Sequence, residues 1–192
     1  MLQLKRDGHA FEFRVRTRPE EMREALGHFF RLHSARSELT GTVDHLDVFA
    51  LERSRTFLRD CMDQAAAAGE ARVFQLEIKG QVVATRLAFA LGDQLYLYFS
   101  GFDPDWKQYS VMTTTVAEAI RWAIDNKFAT VNLSPGRDVS KTRWDPLEVP
   151  FREAYMPSES LRGALVHKAY SRLRKGDSGL ARLISFARRH SR

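Results

Sequence analysis

The groups in this chain with chemistry to offer fall in two stretches and one loop. In the first stretch His33 and Arg36 stand three residues apart, on the helical stripe that carries Met22, Leu26, Phe29 and Leu32. A histidine there titrates near neutral pH and can orient an acceptor or shuttle a proton. The alternative is a hydrogen-bonded core histidine, with Arg36 paired to Glu38 or Asp44. The second stretch runs from Gln94 to Lys127. Its first part, Gln94-Leu95-Tyr96-Leu97-Tyr98-Phe99-Ser100-Gly101, is apolar and aromatic enough to be a strand buried on both faces. Tyr96 and Tyr98, at i and i+2, share one face of it. Asp103-Pro104 ends the strand, and Ser110 reads as the N-cap of a helix whose Val116, Ile120, Ala123 and Ile124 repeat at helical spacing. A strand that stops at Gly101 before a helix that starts at Ser110 leaves backbone N–H groups pointing into a cleft. With the positive end of the helix dipole, they form a site for a phosphate or another anion. In the loop, Lys141 offers a cation to a phosphate or a carboxylate, or else is solvated. Trp144 stacks on a ligand or plugs the loop onto the body. No His/Cys/Asp/Glu group has metal-ligand spacing, so no metal is expected, and neither a Ser-His-Asp set nor a P-loop is present.

The elements that must position these groups fit a chain of 192 residues with 44% hydrophobic content, enough for one domain and an appendage. No run of about eighteen apolar residues is available to span a membrane. The N-terminus lacks the apolar core and cleavage site of a signal peptide. A single cysteine, Cys61, excludes an internal disulfide and suits a reducing cytoplasm; its place on the inward side of a helix makes it a core residue. The net charge of +6 is uneven: residues 157–192 hold nine Lys/Arg against two Asp/Glu, or +7, leaving −1 for residues 1–156. Two organisational units follow, a body over 1–156 and a basic amphipathic helical tail over 157–192. The tail either packs on the body or on another lobe, or contacts an anionic membrane surface.

Along the body, His9–Arg16 alternates as an edge strand with Phe11, Phe13 and Val15 on one face. Thr17-Arg18-Pro19-Glu20 opens the His33 helix as a capping box. A second helix is expected from Asp47 to Ala68, with Phe49, Phe57, Leu58, Cys61, Met62 and Ala65 as its apolar side and Gly69 ending it. Strands Ala71–Lys79, Gln81–Leu91 and Gln94–Gly101 form an antiparallel meander with turns at Gly80-Gln81 and Gly92-Asp93. Then come the helix from Ser110 to Lys127, a short parallel strand Ala129–Ser134, a polar loop Pro135–Pro146 and a last strand Leu147–Met156. Ser158–Lys175 and Ser178–Arg189 are helical by pattern. The order specifies an α+β domain, a mixed and mostly antiparallel sheet flanked by helices.

That order resembles the GNAT acyltransferase fold, and four stretches resemble its CelD/BcsL-like branch, related to the FemAB-type transferases. They are Phe29-Phe30-Arg31-Leu32-His33-Ser34-Ala35-Arg36, the hairpin Val73–Ala84, the strand end Tyr98-Phe99-Ser100-Gly101-Phe102-Asp103-Pro104, and Gly136-Arg137-Asp138-Val139-Ser140-Lys141-Thr142-Arg143-Trp144. Together they span roughly residues 9–156, the branch's C-terminal catalytic lobe without its N-terminal one. The resemblance implies transfer of an acyl group from acetyl-CoA or a longer acyl-CoA to an amine or hydroxyl of a polysaccharide or cell-envelope precursor. It further implies that Phe99, Ser100 and Gly101 hold the thioester through backbone donors, and that Ser110, Val111, Met112 and Thr113 receive the pyrophosphate. His33 or Asp103 would serve as acid/base, Tyr98 as proton donor to the thiolate, and Arg36, Lys141 and Trp144 as substrate contacts. Where the branch has a Ser-Pro-Gly type turn this chain has Ser110-Val111-Met112, so a methionine crowds the expected phosphate approach. The other readings are a non-catalytic binding lobe and an aminoacyl-tRNA-dependent transferase. A missing lobe or a second copy is a candidate partner, and the expected location is cytoplasmic or peripheral at the inner membrane face.

Overall fold

Three long strands, over residues 71–78, 81–91 and 94–102, form the middle of the sheet and carry buried residues on both faces. The computed structural model describes residues 4, 6–39, 46–150, 156, 160, 163, 164 and 166–168. The chain divides into two units, residues 1–146 and 147–192, and the whole sheet belongs to the first. The described strands are β1 (Phe11–Arg16), β2 (Ala71–Ile78), β3 (Gln81–Leu91), β4 (Gln94–Phe102) and β5 (Thr130–Asn132). They lie side by side in sequence order, antiparallel except for the parallel pair β4–β5. The helices are α1 (Pro19–Ser37), α2 (Glu52–Ala67), α3 (Val111–Asp125) and α4 (Val139–Thr142), with a 3-10 helix at Pro104–Tyr109. This is the expected α+β architecture.

One face of the sheet carries α1 and α2. Met22, Leu26, Phe29 and Phe30 of α1, with Leu58, Met62 and Ala66 of α2, close over Ala71, Val73 and Leu87. The other face carries α3, whose Val116, Ala119 and Ala123 pack on Phe74, Ala88, Leu95 and Leu97. Phe11 and Phe13 of β1 reach the same side, against Leu76, Ile78, Ala84 and Val111. The alternation of Val73 with Phe74 assigns one residue to each layer.

Several boundaries differ from the sequence reading, each for a local reason. Glu21, not Glu20, closes the start of α1: its carboxylate accepts the N–H groups of Thr17 and Arg18, both at 3.1 Å. Those hydrogen bonds, Arg18 first, hold its carboxyl down at about 2 against a partial cost of burial. The second helix begins at Glu52 rather than Asp47, although Phe49 in the preceding turn is buried. Phe57 is 70% exposed because Leu58 takes the inward register, and one residue is a rotation of about 100° on a helix. Cys61 is half-buried. The first hairpin turns at Lys79-Gly80, both with positive φ, one residue earlier than expected. The segment 104–109 is a 3-10 helix rather than a loop, because Asp103 caps it through the Asp105 N–H at 3.1 Å. Of the expected last strand, residues 147–150 have no regular structure and 151–155 lie outside the described residues, as does most of the helical tail. Among the described residues, no helix is long and apolar enough to cross a membrane.

Candidate active site

β4 is partnered on both edges for only part of its length. Gln94, Leu95 and Tyr96 pair with Thr130, Val131 and Asn132, and there the pairing with β5 ends. β5 stops because Asn132 turns the chain, its side chain accepting the Ser134 N–H at 2.9 Å, with Ser134 left-handed at φ 68° and Pro135 next. Meanwhile β4 bends away. Arg86 stands opposite Ser100 and Ala88 opposite Leu97, so β4 holds one residue more than β3 across Tyr98-Phe99. Such a bulge kinks its strand, and beyond Tyr96 no described strand pairs with that edge. From Leu97 on, alternate backbone groups of β4 therefore face an opening toward the start of α3.

Gly101 fixes the other wall. A Cβ there would come within 2.4 Å of the His33 nitrogen and 2.6 Å of the Leu32 carbonyl carbon, so α1 lies directly against β4 at this point. By alternation Ser100 and Phe102 then face the α3 side. His33 is buried, 9% exposed, among Phe29, Phe49 and Phe99. Its Nδ1 lies 2.9 Å from the Ser100 carbonyl oxygen, and Nε2 is 3.9 Å from Asp47, itself bonded to Ser34 and to the Phe49 N–H. This is the core histidine of the two readings. Arg36, one turn on, donates to the Ser100 hydroxyl at 2.6 Å and lies over the Phe102 ring, 5.7 Å from its centroid. The expected pairing of Arg36 with Asp44 falls outside the described residues.

Tyr98 is 41% exposed at this edge, with its ring 5.8 Å from that of the half-buried Tyr96. Burial first, then the neighbouring Tyr98, pushes the Tyr96 hydroxyl up, and Arg86 partly opposes this. Asp103 lies elsewhere. Its carboxylate caps the 3-10 helix and lines a groove of about 690 Å³ with Arg14, Arg16, His28, Arg31 and Glu77.

Ser110 takes the expected N-cap position of α3, but in a left-handed conformation (φ 52°, ψ 41°) and with no capping bond from its side chain. The first-turn N–H groups of Val111, Met112 and Thr113 have no partners within the helix. Val111 is buried and Met112 packs against the Leu76–Ile78 cluster, so the methionine is engaged by the core. Arg143 reaches back from the end of α4 to donate to the Thr113 hydroxyl at 2.7 Å.

The Gly136–Trp144 loop is tied to itself. Lys141 donates to Asp138 at 2.8 Å and to the Pro135 carbonyl at 2.6 Å, while Trp144 bonds the Ser140 carbonyl at 3.0 Å and packs against the α3 layer. Both side chains are engaged within the loop. Burial alone would raise the Asp138 carboxyl, but bonds from Lys141 and Ser140 bring it to about 2. Sequence reasoning passed over Arg86, a lone charge in the apolar run Val82–Ala90. Burial and then the like charge of Arg36 bring its guanidinium down to about 10, still cationic at neutral pH, and Asp138 counters in part. Among the described residues no group of three or more His, Cys, Asp or Glu side chains could hold a metal ion.

An aminoglycoside acetyltransferase, meta-AAC0020 from an uncultured soil metagenomic sample, in complex with sisomicin, aligns with a TM-score of 0.52 at 12% identity, over 78% of this chain and 97% of that one. A GCN5-related N-acetyltransferase from Ralstonia eutropha JMP134 aligns with a TM-score of 0.54 at 13% identity, over 79% and 100%. Likeness at such identity is one of fold. Compared with the curated proteins, the chain matches none. The acetyltransferase (GNAT) domain model matches residues 2–142, which include the split β4–β5 pair and the α3 start, and with that span the chain belongs to the GNAT acetyltransferase family.

Proposed function

We propose that this GNAT acetyltransferase moves an acyl group from acyl-CoA to an amine or hydroxyl of a polysaccharide or cell-envelope precursor, as the CelD/BcsL-like resemblance implies. The observation that carries the reading is the edge of β4 from Leu97 to Phe102, with which no described strand pairs, set beside the start of α3. The residues present fit the acyl donor. Val111 and Met112 turn their side chains into the core, leaving the backbone face of the first turn for a pyrophosphate, and Arg143 adds a cation beside Thr113. In this reading backbone N–H groups at Phe99–Gly101 donate hydrogen bonds to the thioester carbonyl oxygen as negative charge develops on it. The acceptor's nitrogen or oxygen attacks the carbonyl carbon, the C–S bond breaks, and the departing thiolate takes a proton from the Tyr98 hydroxyl. The acceptor's own proton leaves to water, and Tyr98 regains one from solvent. His33 holds the Ser100 backbone in place from behind, and Asp103, across the strand end, shapes the 3-10 turn.

Titration calorimetry of the full chain with acetyl-CoA and longer acyl-CoAs tests the donor. A dissociation constant in the micromolar range is expected, with Tyr98→Phe leaving that binding intact while slowing thiol release. No binding across the series would overturn the reading.

A further inference from the structure

Ser110 stands between the 3-10 helix and α3 with a left-handed backbone, φ 52°, and no capping bond from its side chain. A residue with a Cβ is strained there, and such a conformation persists only where its surroundings over-determine it. The N-terminal segment supplies those surroundings on both sides of Ser110. Before it, the rings of Trp106 and Tyr109 close edge-on around His9, at 5.2 and 5.1 Å, and His9 Nε2 lies 3.3 Å from the Tyr109 hydroxyl oxygen. After it, Val111 and Met112 pack in the cluster that holds the fully buried Leu4. The His9 N–H donates to the Leu4 carbonyl at 2.8 Å, so one closed turn of chain ties the two grips together. Packing alone does not account for a histidine at this place. Among the described residues its Nδ1 is buried without a hydrogen-bond partner, a cost that phenylalanine avoids while filling much the same space between the rings. What histidine adds is the contact with Tyr109, whose backbone leads directly into Ser110.

We propose that His9 is a positioning residue for the acyl donor: through Tyr109 it holds Ser110 left-handed and keeps the first-turn N–H groups of α3 turned toward the pyrophosphate. The inference rests on the acyl-CoA reading above and adds to it a residue outside the site. In that reading the reacting carbonyl lies along β4, so loosening this hold weakens the grip on the phosphates and not the grip on the acyl end.

The test compares the full chain with His9→Phe, which keeps the ring, and His9→Gln, whose amide nitrogen can reach Tyr109 as Nε2 does. Calorimetry with acetyl-CoA is expected to show His9→Phe weakened about five- to ten-fold, the scale of one hydrogen bond, and His9→Gln within about two-fold of wild type. S-acetylpantetheine, which lacks the pyrophosphate, is expected to bind all three alike. His9→Phe is expected to melt at or above the wild-type temperature while amide exchange across residues 110–114 of the unliganded chain quickens. Tyr109→Phe, which removes the hydroxyl alone, gives the same comparison should His9→Phe fail to fold by circular dichroism. Unchanged acetyl-CoA affinity or unchanged exchange in His9→Phe would overturn the proposal. An equal loss of affinity and of melting temperature in both His9 variants would also overturn it, as the mark of a packing role alone. If acetyl-CoA does not bind the wild type, the exchange comparison still decides whether His9 holds the helix start, and the failure falls on the acyl-donor reading.

Discussion

Replacing Gly101 with alanine would strike the contact that sets α1 against β4. The added Cβ meets backbone atoms on three sides of the same peptide: the His33 nitrogen at 2.4 Å, the Leu32 carbonyl carbon at 2.6 Å and the His33 Cα at 2.9 Å. Ordinary contact begins near 3.4 Å, and backbone cannot swing aside as a side chain tip can, so helix and strand must separate by about 1 Å. Overpacking of that kind costs about 1–3 kcal/mol. The same displacement stretches the bond between His33 and the Ser100 carbonyl, now 2.9 Å, and Arg36 to the Ser100 hydroxyl, now 2.6 Å, at about 1 kcal/mol for each one broken. With both bonds broken the sum is about 3–5 kcal/mol, or a fall in Tm of roughly 6–20 °C for a domain of this size. Calorimetric melting measures it, with Gly27→Ala as the internal control. Gly27 sits inside α1 with nothing within 4 Å of its missing Cβ, so alanine there should stabilise by about 0.5–1 kcal/mol. A Gly101→Ala protein that melts within about 1 °C of the wild type would refute the packing argument.

Glu21→Gln should remove about 1 kcal/mol of stability at neutral pH by weakening the cap on α1. Because the folded carboxyl is depressed to about 2, that contribution is present above the ordinary carboxylate range and fades as pH falls toward 2; urea midpoints of wild type and variant should therefore converge in acid. Met112→Ala should leave CoA affinity within about two-fold while lowering stability by about 1–2 kcal/mol, since the side chain fills the core rather than the approach to the helix start. A several-fold gain in CoA affinity would show that the methionine does stand in the way.

The meander was legible because its signals are local: apolar runs of strand length, and turns marked by Gly80 and Gly92, both with positive φ, the first of them one residue earlier than expected. The 3-10 helix was not legible, since Asp103-Pro104-Asp105 is turn chemistry in either conformation. What settles it is Trp106 and Tyr109 closing edge-on around His9, 5.2 and 5.1 Å away and about a hundred residues distant in the chain. Phe57 shows the related weakness of a helical stripe: period fixes the spacing of the inward residues but not the phase, which Leu58 and Met62 decide through their fit to the sheet.

The candidate site was half visible for a geometric reason. Placing His33 and Arg36 three apart assigns them one face of a helix, and by that argument both belong to the core or both to the cleft. In the folded chain they part company at Ser100. Three residues advance a helix by about 4.5 Å, close to the 4.8 Å between neighbouring strands. His33 lies over β4 and holds the Ser100 carbonyl from the buried face, while Arg36, in the last turn, passes the unpaired edge to the Ser100 hydroxyl and the Phe102 ring beyond it. A shared face is enough to predict a shared layer only where the sheet continues beneath. Because the described pairing with β5 stops at Asn132, Arg36 in the last turn of α1 reaches past the paired part of the sheet while His33 stays over it.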